Sequence, residues 1–442
     1  MDRREFIKAG AGAAALAGLA ACAPKGARGG DTATNTEAGT GEMLQNYPGV
    51  GALGYGCMRW PMTKDSDGNE VIDQEAVNEL VDKAIAHGVN YFDTSPVYLR
   101  GESERATAIA LNRHPREKWL LATKLSNFSD ASYSNSVLMY RRSLEIFNTD
   151  HIDYYLLHSI KNAEDFKERF EDTGIMDFLL GEREAGRIRK LGFSIHSQQP
   201  GFDSMMEVHS KYHWDFVQIQ MNYSDWKHAG RDVDAEYMYE RLTELDIPIV
   251  LMEPLLGGRL ATLPAPITDM LKAEQPDKSV ASWAFRFVGS FPQIMCVLSG
   301  MTRMEHLKDN LETYLDFEPL SDEEFRLLEE VAIRMNEYPL VPCTDCKYCM
   351  PCPYGIDIPG VFSFYNTGVR DATFVVSPEQ KDYAKARRKY LMEYNKALPT
   401  IRQADHCIGC GQCLVACPQR IDIPSQLQRI DRYIEALKQE KL

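Results

Sequence analysis

The sequence predicts an α/β protein: a parallel (β/α)8 TIM barrel followed by a small cysteine-rich C-terminal domain. Three observations carry this. From Pro48 to about Tyr338, short β-branched or aromatic runs alternate with amphipathic stretches, the pattern of strand–helix units. Eight such units fit into about 290 residues, the count and length of a closed parallel barrel. Eight of the eleven cysteines lie in the last hundred residues, in two tight runs. A doubly wound sheet is the runner-up, but no Gly-x-Gly-x-x-Gly follows the first strand, so that fold's dinucleotide signature is missing.

The first strand is expected in GALGYGCMRW (51–60). The others are VNYFDTS (89–95), WLLATKL (119–125), IDYYLLHS (152–159), IRKLGFSIH (188–196), FVQIQMNY (216–223), PIVLMEPL (248–255) and IMCVLSGM (294–301). All are rich in residues that fill a pleated surface. Between them, stretches such as QEAVNELVDKAIAHG (74–88) and SNSVLMYRRSLEIF (134–147) place apolar residues at helical spacing. After the last unit, Ser321 and Glu324 form a capping-box pattern that opens an extra helix, SDEEFRLLEEVAIRMNEY. The barrel then spans 47–338 and the tail 339–442. Within the tail, Ser377–Leu398 reads as a solvated helix packed on the barrel. Cys57 and Cys296 sit in strand-like runs and are expected to be buried, inert thiols.

Composition narrows the class. Hydrophobic residues make up 44% and charged residues 26% of 442, which excludes a fibre, a largely disordered chain and a polytopic membrane protein. Lys and Arg number 49 against 64 Asp and Glu, a net of −15, so nucleic acid is not an expected partner. Residues Met1–Ala21 have a basic head and a short Ala/Gly/Leu core, the form of an export signal. Arg3-Arg4 with Phe6 and Lys8 resembles a twin-arginine signal. Leu19-Ala20-Ala21-Cys22 resembles a bacterial lipoprotein cleavage box, which implies a lipid on Cys22 and membrane contact through that anchor alone. A plain signal with Cys22 incidental and a protein that stays in the cytoplasm are the alternatives. Residues 22–46, rich in Gly, Ala and Thr, read as a flexible tether. The mature protein is expected in the periplasm or held on a membrane.

In a barrel of this kind, chemistry sits at the C-terminal strand ends. Those ends offer Asp93, Lys124 and His158, with Tyr98 in the loop after Asp93. Carbonyl reduction, or its reverse, needs such a set. Oxygen gains negative charge as the carbonyl is reduced, so a proton donor must face it. A free Tyr has a pKa of about 10, and a neighbouring Lys cation lowers it toward the working pH. Asp93 would anchor the Lys, and His158 would orient the carbonyl as a second donor.

The stretch GVNYFDTSPVYLRGESE (88–104) resembles the aldo-keto reductase signature of Asp, then Tyr, then Gly-x-Ser-Glu. LATK (121–124), SLEIFNTDHIDYYLLH (143–158), GRIRKLGFS (186–194) and VQIQMNY (217–223) follow in that family's order. The resemblance covers about residues 50–315. It implies that Asp93, Tyr98, Lys124 and His158 are a catalytic tetrad acting on a small carbonyl or alcohol. It also implies that Ser194 and Gln218 hold the nicotinamide of NADP or NAD, that Leu255 and Gly257 approach the pyrophosphate, and that Asp309 and Asn310 lie at the adenine end. Four positions depart from the family's pattern. Ile195 stands where the family has Asn, and Met252 where it commonly has a stacking aromatic. Gly300 and His306 replace a Lys and an Arg that grip a 2′-phosphate, a role Arg303 could take over.

The tail reads Cys343-x2-Cys346-x2-Cys349-x2-Cys352-Pro353 and Cys407-x2-Cys410-x2-Cys413-x3-Cys417-Pro418. The second run matches bacterial ferredoxin spacing, and the first is one residue shorter before its fourth cysteine. Both continue alike, CPYGIDIP and CPQRIDIP, 65 residues apart. This is a ferredoxin-type domain with two 4Fe–4S clusters. The resemblance to two-cluster ferredoxins implies crossed ligation: Cys343, Cys346, Cys349 and Cys417 for one cluster, Cys407, Cys410, Cys413 and Cys352 for the other. Two four-cysteine zinc sites and disulfides are the alternatives. Two functions are weighed. One is an exported oxidoreductase whose barrel chemistry is linked to the clusters and to a redox partner protein. The other is an electron-transfer or docking protein whose barrel no longer uses nicotinamide.

Overall fold

The computed structural model describes residues 42–228, 233–375 and 377–441. The export signal, Cys22 and the tether up to residue 41 lie outside them. Eight parallel strands close a barrel in the order β1 (Leu53–Gly56), β4 (Tyr91–Asp93), β5 (Leu120–Leu125), β6 (Ile152–Ile160), β7 (Ile188–Ile195), β8 (Phe216–Gln220), β9 (Ile249–Met252) and β10 (Ile294–Ser299), with β10 pairing back to β1. All eight expected strands are present. The run 51–60 is split, however. Its strand stops at Gly56, Cys57–Arg59 form a single 3-10 turn, and an exposed antiparallel hairpin follows, β2 (Met62–Lys64) with β3 (Glu70–Ile72). Cys57 and Cys296 are buried as expected, and burial drives both thiols up.

Side-chain parity connects this barrel to its site. On β4, Tyr91 belongs to the barrel interior, while Phe92 packs outward with the helices. Side chains alternate along a strand, so Asp93 points inward again, at the strand's last residue. The same alternation carries Ala122 to Lys124 on β5, Leu156 to His158 on β6 and Phe216 to Gln218 on β8. The lower layers are apolar: Tyr91, Tyr154, Phe216, Val250 and Met295 fill the interior. The uppermost layer is the polar one.

Outside the barrel, the helix Gln74–Ala86 starts on an Asp73 cap and the helix Tyr133–Phe147 on a Ser132 cap. The extra helix Asp322–Met335 opens with the full capping box, Ser321 and Glu324 bonding reciprocally. Glu324 has a second role. Its carboxylate receives both ends of the Arg286 guanidinium at 2.7 and 2.9 Å, with both side chains buried.

The tail has its own core, built from the helices Ile358–Arg370, Tyr383–Ala397 and Ile423–Lys438. The repeated Ile-Asp-Ile-Pro has a physical reason. Asp357 and Asp422 are N-caps, accepting from Gly360 N at 3.1 Å and Ser425 N at 3.2 Å, and Pro359 and Pro424 sit in the first turn. The insertion is corrected here: its helix does not lie on the barrel. Tyr390 and Tyr394 are buried in the tail core against Phe364 and Tyr433. Among the described residues, no helix is long and apolar enough to cross a membrane.

Glu324→Ala would leave Arg286 buried without its carboxylate. Losing one partner of such a pair costs about 3–5 kcal/mol. Chemical denaturation of the cluster-loaded protein should show that loss, and an unmoved midpoint would contradict the role given to the pair.

Candidate active site and cluster pockets

Lys124 Nζ donates to Asp93 Oδ1 at 2.5 Å and to the Thr94 carbonyl at 2.9 Å. The ammonium lies 4.9 Å from the centre of the Tyr98 ring. Tyr98 is held by a sharp turn in which Leu99, Arg100 and Gly101 all take positive φ (51, 59 and 92°). Two non-glycine residues in that region are costly and persist only where packing enforces them. His158 sits edge-on to Tyr98, ring centres 5.8 Å apart. Its Nδ1 is engaged by Ser126 Oγ at 2.5 Å and Ser95 Oγ at 3.3 Å. The four residues expected to act together are thus brought together.

Their protonation differs from expectation. Burial pushes the Tyr98 phenol well above its ordinary value, and the charge of Asp93 adds to the rise. Burial drives His158 well below its ordinary value, helped by the positive charge of Lys124. Burial also raises Asp93, against the pull of Lys124. The expected lowering of Tyr98 by Lys124 does not prevail, because the ammonium is bonded to Asp93 and the phenol is removed from water. The site holds a neutral phenol next to a neutral imidazole.

Sequence reasoning missed the residues that close this site. Tyr348, between Cys346 and Cys349, lies close enough to Tyr98 for the two phenols to shift each other's titration. Thr344 is buried on the Gly257 turn: a Cβ on Gly257 would lie 2.4 Å from the Thr344 carbonyl oxygen and 2.6 Å from its Cα. Arg59 donates to that carbonyl and lies 3.8 Å from the Asp345 carboxylate. At the second cysteine run, the amides of Gln220 on β8 and Gln419 exchange hydrogen bonds of 3.0 and 3.3 Å. No short-range signal could have found these contacts, since each joins residues about 90 to 290 positions apart.

The cysteines form two sets. A small cavity is lined by Cys343, Cys346 and Cys349 of the first run and Cys417 of the second, with Ile358 and Phe362 beside them. The Asp345 amide donates to Cys343 Sγ at 3.4 Å. The thiols of Cys407, Cys410 and Cys352 lie near enough to Cys413 to act on it electrostatically. Both groupings draw on both runs. Four thiols from two chain segments around an apolar-backed cavity suit a 4Fe–4S cube. Among the described residues, no three His, Cys, Asp or Glu converge closely enough for a single metal ion.

Several of the residues assigned to a dinucleotide are bonded within the protein. Ser194 Oγ accepts from Ser159 N at 2.8 Å, and Gln218 Oε1 is buried without a partner. Leu255 precedes the Gly257 turn, where Thr344 is packed. Asp309 accepts from Ser279 at 2.8 Å, and Asn310 is buried and donates to Ser299 at 2.8 Å. Arg303 is exposed at the start of the helix Met304–Leu315.

Residues 52–333 match the model of the aldo/keto reductase family. The chain belongs to that family. A second match, over residues 342–422, is to a 4Fe-4S dicluster domain. This aldo-keto reductase is 25% identical over 313 residues to an uncharacterized oxidoreductase of Bacillus subtilis, covering 63% of this chain and 92% of that one. It is 27% identical over 236 residues to a probable aldo-keto reductase of Glycine max, covering 51% and 62%. Among solved structures, an aldo-keto reductase from Bacillus halodurans in holo form superposes with a TM-score of 0.51 at 21% identity, over 66% of this chain and 96% of that one. A Klebsiella pneumoniae aldo/keto reductase in complex with NADP and acetate gives 0.51 at 20%, over 64% and 92%. The match to these structures is one of fold. Together with the dicluster domain, the family makes the protein an oxidoreductase with iron–sulfur clusters.

Crossed ligation is testable by iron content. Cys343→Ser and Cys417→Ser strike one cluster, so the double variant should lose no more iron than either single variant, about half. A double variant stripped of nearly all its iron would mean that each run holds its own cluster.

Proposed function

We propose that this aldo-keto reductase is an exported oxidoreductase that reduces or oxidises a small carbonyl or alcohol at Tyr98, with electrons linked to two 4Fe–4S clusters. The observation that supports this most is the packing of Thr344 on the Gly257 turn, with Tyr348 beside Tyr98, which brings the segment between cluster ligands to the tetrad. Bound clusters would supply single electrons, one from each. Reducing a carbonyl to an alcohol takes two electrons and two protons. The C=O π bond breaks and an O–H and a C–H bond form. Tyr98, neutral and buried, gives the proton that ends on oxygen and is reprotonated through Tyr348. The proton that ends on carbon comes from water. His158 would hold the carbonyl oxygen as a second donor, and the Lys124 ammonium under the Tyr98 ring favours the charge that develops there.

The export signal in residues 1–21 supports a periplasmic or membrane-anchored location, with Cys22 as the lipid site. A redox partner fits at the second cluster. Cys410 is exposed, and Ile408, Leu414 and Val415 around it are exposed apolar side chains, Val415 at 82%. The docking-protein reading keeps one supporting observation, the filled Gly257 turn.

Tyr98→Phe should cut carbonyl reduction driven by reduced methyl viologen by about 10²–10⁴-fold with iron content unchanged. Turnover that survives in the variant removes Tyr98 from the chemistry. A wild type that reduces no aldehyde, ketone or quinone would favour the docking reading.

The pH profile follows from the direction of the Tyr98 shift. With its pKa above 10, the acid form is present throughout the neutral range, so the reduction rate should stay flat from about pH 6 to pH 9. A fall centred near pH 8 would mean that Lys124 lowers Tyr98 after all.

A further inference from the structure

The mouth of the barrel is closed by the protein's own tail. The Gly257 turn is the place where the family resemblance puts a dinucleotide's pyrophosphate. Gly257 has φ 67° and no Cβ, so backbone can approach it closely. The backbone that does so is Thr344, not a ligand: its carbonyl oxygen and Cα occupy the space a Cβ would need. Arg59, a cation well placed for a phosphate, is engaged by the Thr344 carbonyl and the Asp345 carboxylate. Its side-chain stem also covers Gly300, where a Cβ would lie 3.2 Å from Arg59 Cδ. Gly300 stands where the family's 2′-phosphate lysine would be. Deeper in the mouth, Tyr348 lies beside Tyr98. Pyrophosphate, 2′-phosphate and catalytic ends of the site are all met by residues 344–348 or by the arginine that holds them.

We propose that the first cysteine loop, Thr344–Tyr348, stands in for the nicotinamide dinucleotide, so that the cluster-loaded protein binds neither NADPH nor NADH. The loop is fixed at both ends. Cys343 and Cys346 flank Thr344 and share one cavity with Cys349 and Cys417. Lifting Thr344 off Gly257 to admit a pyrophosphate would strain that ligand set. It would also strip the Arg59 contacts, and the Gln220–Gln419 amide pair holds the tail at a second point. The exclusion rests on packing alone. The functional reading above is needed only for what the electrons do next: with hydride transfer from a nucleotide removed, they would have to come from the cluster that this loop's cysteines would hold.

The test is an anaerobic titration of the full-length, cluster-loaded protein with NADPH and then NADH up to about 1 mM, read by nucleotide fluorescence and equilibrium dialysis. No saturable binding is expected. A Kd below about 100 μM for either nucleotide would overturn the proposal. Gly257→Ala provides a second readout. A filled mouth predicts a changed electron paramagnetic resonance signal or midpoint potential for one cluster, because the new Cβ presses on Thr344. A nucleotide site predicts unchanged cluster properties and weakened NADPH binding, and that outcome also overturns the proposal. Neither measurement uses turnover, so a failure of the carbonyl reading at Tyr98 would leave both results standing.

Discussion

The contact between Thr344 and the Gly257 turn constrains everything around the site. It is backbone against backbone, with no side chain that could swing aside. It fixes where residues 343–349 lie, and through them where three thiols lie. It also sets the depth to which Tyr348 reaches, and so the partner of Tyr98. A glycine is required there for two independent reasons, a φ of 67° and the absence of room for a Cβ. Arg59 and Asp345 complete the join with a charge pair at the rim, where ion pairs contribute little by themselves. The joint depends mainly on shape.

Within the barrel, the tetrad is a case of burial overriding charge. Lys124 is nearly inaccessible, and its partner Asp93 is buried with it. Such a pair is weak evidence for stability, but it holds an ammonium under the Tyr98 ring. The phenol in turn loses water on every side, and that loss outweighs the nearby cation. A proton donor kept neutral in this way is suited to giving its proton only when negative charge develops against it. His158, neutral for the same reason, serves as a hydrogen-bonding group rather than an acid.

The tail places its two cysteine sets differently. One lines a cavity with Ile358, Phe362 and Thr344, the residue that packs on the Gly257 turn. The other holds Cys410 at the surface among exposed apolar side chains. An inner set near the barrel and an outer set against solvent are the placement that the proposed electron path would need. Cluster potentials respond to exposure and to hydrogen bonds at sulfur, so the two environments should give distinct potentials.

Much of this was legible in the sequence. Strand–helix alternation set the barrel, because parallel strands buried on both faces read as apolar runs. The C-terminal strand ends then offered Asp93, Lys124 and His158 as the site. Cysteine spacing pointed to iron–sulfur clusters, and Ile-Asp-Ile-Pro marked the tail's internal repeat. These are local signals, each contained within about ten residues. The tertiary structure decided what local signals cannot carry. It put the insertion helix on the tail core, since Tyr390 and Tyr394 found their apolar partners there. It turned Tyr98 into a neutral phenol, since burial depends on everything packed around it. And it laid Thr344 on Gly257 and Tyr348 on Tyr98, contacts between residues 87 and 250 positions apart that exist only once two domains have docked.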